Sequence, residues 1–217
     1  DLITPGVYKL SNGVAAPITT FTERNKRVNS VYGTATLSYA NKIFLDVTGR
    51  NDWSSTLPSG NNSFFYPSVS TSFILSDLLR LPEQISFAKL RASWAQVGND
   101  TAPYKTAKYY NTSAFPGSAS VSSTLYNARF KPEISNSIEV GLDWRMFKQR
   151  FGLDLAFYNN ITRNQILDVP MDQTTGYTKA TMNSGKVRNR GIELQLDGTP
   201  VKTKNFTWNS TFTWAKN

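Results

Sequence analysis

Neither histidine nor cysteine occurs in the sequence. That removes the commonest general base, the commonest biological metal ligand and the thiolate nucleophile together. Serine–histidine and cysteine–histidine catalysis are excluded within this chain, as are a disulfide framework and a thiolate metal site. Carboxylates, guanidinium groups and aromatic rings are left to do chemistry. Glu139 and Asp143 stand i, i+4 in the stretch SNSIEVGLDWRMFKQRFGLDLAFYNNITRNQIL, residues 135–167. Along a strand that spacing is about 13 Å, wider than the roughly 5–9.5 Å used by paired carboxylates in glycoside hydrolysis. Hydrolysis is therefore not expected, no enzymatic activity is assigned, and no cofactor is called for. The residue spacing of a calcium loop is absent as well.

The elements that position these side chains declare themselves by alternation. Ile138, Val140, Leu142, Trp144 and Met146 alternate with Glu139, Gly141, Asp143 and Arg145, so this limb is a strand with one apolar and one polar face. After a turn near Lys148-Gln149-Arg150, Phe151, Leu153, Leu155 and Phe157 alternate with Gly152, Asp154, Ala156 and Tyr158. Two such limbs joined by a short turn predict an antiparallel hairpin.

The same reading runs through most of the chain. Strands are predicted at residues 28–39, 42–50, 64–76 and 86–97, then in the two limbs of the hairpin, and again at 187–197 and 206–214. Ala40-Asn41 reads as a tight turn, and Asp77 to Gln84 as one helical turn stopped by Pro82. Residues 51–62, 98–132 and 170–186 are long polar connections, whereas the connections between them are short. Residues 1–27 are poorly patterned and read as a loop or lead-in. Alternating short turns and long loops, with strands of about 11 residues, predict an up-and-down transmembrane β-barrel. Mean hydropathy of −0.38 does not oppose this, because such a barrel places its apolar residues at alternate positions. No run approaches the roughly 20 apolar residues of a spanning helix.

On that architecture Arg50, Arg91, Glu139, Asp143, Arg145, Asp154, Glu193 and Asp197 fall on the polar, lumen-lining face. Read as ordinary structure they are a hydrated wall with opposite charges paired across strands; read functionally they touch a substrate path. Trp53, Tyr104, Tyr109, Tyr110 and Tyr126 fall in or beside the long loops, where they would stack on a substrate or a partner, or simply pack on one another. The net charge of +9 comes from scattered lysines and arginines with no recognition element, so nucleic acid is not expected. Two further readings compete: a self-contained outer-membrane barrel of about eight strands, acting as an adhesin or structural protein, and a soluble carbohydrate-binding β-sandwich with a tryptophan platform.

Several strings carry a family resemblance. GRNDWSSTLP (49–58), FYPSVSTSFILSD (65–77), KLRASWAQVGND (89–100), KPEISNSIEVGLDWRMFKQRFGLDLAFYN (131–159) and GKVRNRGIELQL (185–196) resemble the barrel of SusC/RagA-type TonB-dependent transporters. The resemblance runs from about Val28 to Asn217 and implies an all-β fold: part of a 22-stranded barrel in the outer membrane of Bacteroidota-type bacteria. It also implies a SusD-like surface lipoprotein as partner and a glycan, oligosaccharide or peptide substrate. Energy would come from TonB-ExbB-ExbD through a plug domain that this chain does not contain. The expected division is accordingly a lead-in at 1–27 and a partial barrel domain at 28–217, the chain being read as a fragment.

Overall fold

The computed structural model describes residues 3–9, 12–14, 23–112 and 117–217. The strands in chain order are β1 (Val28–Tyr39), β2 (Ile43–Ser54), β3 (Ser63–Ile74), β4 (Ile85–Asn99), β5 (Tyr110–Thr112), β6 (Ala119–Val121) and β7 (Thr124–Leu125). They continue with β8 (Glu133–Met146), β9 (Phe151–Arg163), β10 (Ile166–Pro170), β11 (Lys179–Asn183), β12 (Lys186–Lys202) and β13 (Thr207–Lys216). One helical turn, α1 (Leu75–Leu78), follows β3. Eight of the strands form one antiparallel sheet in the order β1-β2-β3-β4-β8-β9-β12-β13, so each wall strand lies beside the wall strand that precedes it in the chain.

Backbone chemistry explains the turns. Ala40 and Asn41 both take positive φ, 50° and 56°, and the Lys42 amide donates to the Tyr39 carbonyl at 2.9 Å. Two residues of this hand, in a connection of three between Tyr39 and Ile43, follow the twist of the strands they join. Asn41 tolerates the left-handed region better than most residues do. The β8–β9 turn uses three such residues in a row, Phe147, Lys148 and Gln149, where the sequence places the turn one residue later.

Several wall strands outrun the sequence-based limits, although β1 keeps the expected bounds and β3 stops at Ile74, two residues short of them. β2 continues past Arg50 through Asn51, Asp52 and Trp53 because both neighbours pair with it there, Ser30 opposite Asp52 on one side and Phe64 on the other. β9 runs on to Arg163 for the same reason, between Ile134 and Lys186, and β12 runs on to Lys202 through pairing with β13 alone, Lys202 opposite Thr207. Tertiary pairing decides where a strand stops, and local breaker residues do not.

The faces are cleanly divided. Tyr39, Ile43, Phe73, Leu90, Leu142, Leu155, Leu194 and Trp214 are successive partners and form one rung across all eight strands. Every Asp and Glu in these strands lies on the other face: Asp46, Asp52, Glu133, Glu139, Asp143, Asp154, Glu193 and Asp197. The apolar face is not covered by protein. Leu37, Phe157 and Phe212 are 63%, 46% and 57% exposed, an arrangement that water would not tolerate over so wide a surface.

A sandwich would bury that face against a second sheet. Here only six apolar side chains are buried among the described residues: Leu57, Phe64, Ala88, Phe130, Ala156 and Ala180. The soluble-sandwich reading is overturned by this single uncovered sheet. The self-contained-barrel reading meets a related difficulty, since β1 and β13 are not paired with each other.

The long connections are folded rather than patternless. The segment 100–132 holds the β5–β6 hairpin and β7, and the segment 164–185 holds β10 and β11. β7 pairs in parallel with β11, Thr124 opposite Lys179 and Leu125 opposite Ala180, which ties two loops into one three-stranded sheet. A small core of Leu57, Phe64 and Phe130, with Tyr66 and Ile166 against it, sits beneath. Asn61 donates to the Phe130 carbonyl at 3.0 Å and Asn183 to that of Lys131 at 2.8 Å. All three long connections are thereby knitted together at one end of the wall.

Candidate functional site

Two groupings collect the residues that the sequence singles out. The first is on the polar face. Arg91 of β4 reaches across β8 to Asp154 of β9, donating through Nη1 to Oδ2 at 3.1 Å and through Nη2 to Oδ1 at 2.8 Å. Its Nε also lies 3.8 Å from Glu139 Oε1. A bidentate guanidinium–carboxylate pair is among the stronger polar contacts available to a protein. It forms because the intervening residue on β8, directly opposite Arg91, is Gly141. A Cβ there would stand 2.3 Å from Arg91 Nε and 2.6 Å from Cζ. Gly191 lets Tyr158 do the same two strands on, where its hydroxyl donates to Asn217 at 2.9 Å.

The remaining charges of this face are also engaged locally. Arg145 donates to Asp143 at 3.2 Å. Gln195 and Thr211 both donate to Asp197, at 2.9 and 2.8 Å. Arg50 pairs with Asp52 at 2.8 Å, and Tyr66 donates its hydroxyl to the same carboxylate. Glu193 has no ion-pair partner among the described residues; with Arg91, Asp154 and Gln195 it borders a concavity of about 400 Å³. The eight charged residues expected to share one face do share it. Most of their carboxylates are occupied with neighbouring donors, which leaves a locally paired surface, three arginines against five carboxylates, in place of an acid–base pair.

This arrangement makes a specific prediction. Gly141→Val in the parent protein drives a side chain into the space of the Arg91 guanidinium, so the Arg91–Asp154 pair breaks and Asp154, directly opposed to Asp143 across β8 and β9, is left without its cation. The expected loss is about 1–3 kcal/mol, read as a lower urea midpoint. Arg91→Gln in the Gly141→Val background should add little further loss; full additivity of the two substitutions would show that the residues do not act through one contact.

The second grouping is in the loops. A cavity of about 560 Å³ is bordered by Arg24, Tyr104, Lys105, Tyr109, Asn111 and Tyr126, among others. The rings of Tyr104 and Tyr109 meet edge to face at 6.1 Å. Tyr104 sits at a φ of 65°, and its hydroxyl accepts from the Asn25 amide at 3.1 Å. The end of the lead-in is thus fastened to the loops: Lys26 pairs with Asp100, and the Arg27 amide donates to Ser55.

Of the five loop aromatics, three come together at this cavity, Tyr104, Tyr109 and Tyr126. Tyr110 stands on β5, 73% exposed, and Trp53 stands at the far end of β2 on the apolar side of the sheet, opposite Asn29 and Ser63; neither borders the cavity. The sequence reading passed over Arg24, Lys105 and Asn111, which carry no pattern of their own. It also passed over Tyr177, whose ring lies 5.0 Å from Lys108 Nζ. That phenol, as the lysine's chief partner, holds the ammonium above its ordinary pKa. Nearby, hydrogen bonds from Lys179 and Thr181 hold the Asp168 carboxyl below the usual carboxylate range.

Comparison with known proteins gives a consistent result. The family model described as "TonB dependent receptor-like, beta-barrel" matches residues 4–217. TonB-dependent receptor P26 of Formosa agariphila is 32% identical over 200 residues, covering 88% of this chain and 20% of the relative. TonB-dependent receptor SusC of Bacteroides thetaiotaomicron is 26% identical, covering 92% of this chain and 21% of SusC. The chain therefore spans about a fifth of the length of these relatives. Among solved structures, the RagAB peptide transporter superposes with a TM-score of 0.82 at 22% identity, covering 98% of this chain and 24% of that one. The siderophore receptor PirA of Pseudomonas aeruginosa superposes at 0.60 and 17%, covering 88% of this chain and 34% of that one. The wall described above is an arc of that fold.

Proposed function

The chain belongs to the TonB dependent receptor-like β-barrel family, and from that premise we propose that it forms adjacent staves of an outer-membrane importer of the SusC/RagA type. The observation that carries the proposal is the separation of the two faces: every wall-strand carboxylate on one side, and an unbroken rung from Tyr39 to Trp214 on the other. Lipid is the solvent for the second face, and water in a lumen is the solvent for the first. Further strands of the parent protein would pair with β1 and β13, since a lipid-exposed backbone edge is too costly to leave open.

The short turns at Ala40-Asn41 and Phe147–Arg150 then face the periplasm, and the knitted loops face outward, as in outer-membrane barrels generally. Strand pairing and ion pairs make the wall a rigid frame; recognition is left to the loops. The cavity at Tyr104, Tyr109 and Tyr126 supplies aromatic faces for a sugar ring, a peptide side chain or the underside of a SusD-like lipoprotein lid. The RagAB peptide transporter supports a peptide cargo by analogy. Import would be driven by TonB-ExbB-ExbD acting on a plug elsewhere in the parent.

The test is uptake by cells carrying the parent transporter with Tyr104→Ala and Tyr109→Ala. Loss of two aromatic contacts, each worth roughly 0.5–1.5 kcal/mol, should lower uptake at limiting substrate on the order of tenfold, with the protein still present in the outer membrane. Uptake unchanged at every substrate concentration would remove the loop cavity from the transport path.

A further inference from the structure

The charges on the apolar face are few and one-sided. Across the eight wall strands, that face carries no aspartate or glutamate, and its charged residues are Arg163, Lys186, Arg188, Arg190 and Lys216. All five are cations on the last three strands of the wall. Lys186 is opposite Arg163, Arg188 opposite Ile161 and Arg190 opposite Asn159. Lys216 is opposite Ile192, one step below Arg190 on the same face. None of the five forms an ion pair among the described residues.

Their height is set by β12 itself. On its lipid side the strand presents Val201, Leu196, Leu194 and Ile192 before Arg190. Val201 to Ile192 is ten residues (201 − 192 + 1), which matches the roughly 9–11 residues of a tilted crossing of the hydrocarbon core. Arg190 therefore enters the far interface, and Arg188 and Lys186 stand just beyond it, beside the long loops. The Arg188 guanidinium is aimed sideways across the sheet surface, its Nε donating to Asn159 Oδ1 at 2.8 Å, which leaves its Nη groups for another acceptor. Cations facing a lumen would find carboxylates there; these face outward, where no ion pair among the described residues balances them.

Resting on the outer-membrane reading above, we propose that this patch binds the phosphate groups of a phosphorylated glycolipid headgroup in the outer leaflet. Charge complementarity commits the site to that occupant. Several cations clustered at headgroup level, with no aspartate or glutamate on their face of the wall, suit a lipid bearing phosphate, and guanidinium groups suit its oxygens bidentately. A neutral phospholipid leaflet would offer them no net counter-charge.

The experiment uses the full parent transporter extracted in mild detergent from native membranes. Native mass spectrometry reads the phosphorylated glycolipid retained by the wild type and by the variant R163Q/R188Q/R190Q/K186Q. The proposal expects retention to fall on the order of tenfold and to be restored in part when the three arginines are replaced by lysine instead, which keeps the charge but not the bidentate contact. Added inorganic phosphate at millimolar level should not displace the lipid. Equal retention by the glutamine variant would overturn the proposal, as would full displacement by inorganic phosphate, which would make the patch a general anion site. Membrane fractionation and the gel shift between heated and unheated samples are run on both proteins. A transporter absent from the outer membrane would refute the membrane reading itself, whereas a folded, membrane-resident variant that keeps its lipid would refute only the headgroup site.

Discussion

Leu142→Arg is expected to destabilise the parent barrel in lipid by about 2–4 kcal/mol, whereas Ser93→Arg, three residue pairs along the same two strands and on the polar face, should change it by no more than about 0.5 kcal/mol. Leu142 lies between Leu90 and Leu155 in the apolar rung, with hydrocarbon as its outer neighbour. An arginine there has to abandon its hydration or thin the bilayer around itself. Ser93 is opposite Glu139, so a new guanidinium finds both water and a carboxylate. Urea titration of folding into vesicles measures both variants. Comparable losses at the two sites would show that the faces are not in different solvents.

The second large effect is expected at Phe130. Its side chain is fully buried in the core under the loops, against Leu57 and Phe64. Phe130→Ala removes most of that core at a cost of about 3–5 kcal/mol, because so small a cluster has nothing to collapse with. The loss falls on the loops alone. Amide exchange should accelerate in residues 100–112 and 164–185 of the parent, while the wall strands keep their protection and the folded barrel its gel mobility. Unchanged exchange in both segments would mean that the loops are held by their hydrogen bonds and not by this core. Uptake should fall with the loosened loops if the Tyr104–Tyr109 cavity depends on them.

Much of the wall is legible in the sequence because period-two alternation records a face and nothing else. Arg91, Glu139, Asp154 and Glu193 follow directly from it. The alternation is silent on who meets whom: that Arg91 reaches Asp154 depends on register and on the absence of a side chain at Gly141, which the chain reveals only when folded. Strand ends are misjudged for a related reason. Asn51 to Ser54 look like breakers, yet two neighbouring strands hold them extended. The loops are the least legible part. Residues 98–132 carry no period because their strands are only two or three residues long, and part of their order comes from another loop: β7 is two residues long and exists through β11. Tyr104, Tyr109 and Tyr126 are conspicuous by type, but Arg24 and Tyr177 reach their places from distant parts of the chain.

The β7–β11 pairing also bears on the order in which the molecule is made. Each wall contact joins a strand to the wall strand before it in the chain, so the wall can zip up strand by strand, with a loop-closure cost that grows only slowly across the two longer connections. Thr124 and Lys179 are partners 55 positions apart (179 − 124), with β8, β9 and β10 between them. That pairing cannot form until the central hairpin has docked, and two residues of ladder are too little to hold open loops together earlier. The loop sheet is therefore a late event, reporting that the staves beneath it are already in register. A parent protein caught with β8 and β9 mispaired would be expected to display loose, protease-sensitive loops, giving quality control outside the wall a readable signal of an assembly error within it.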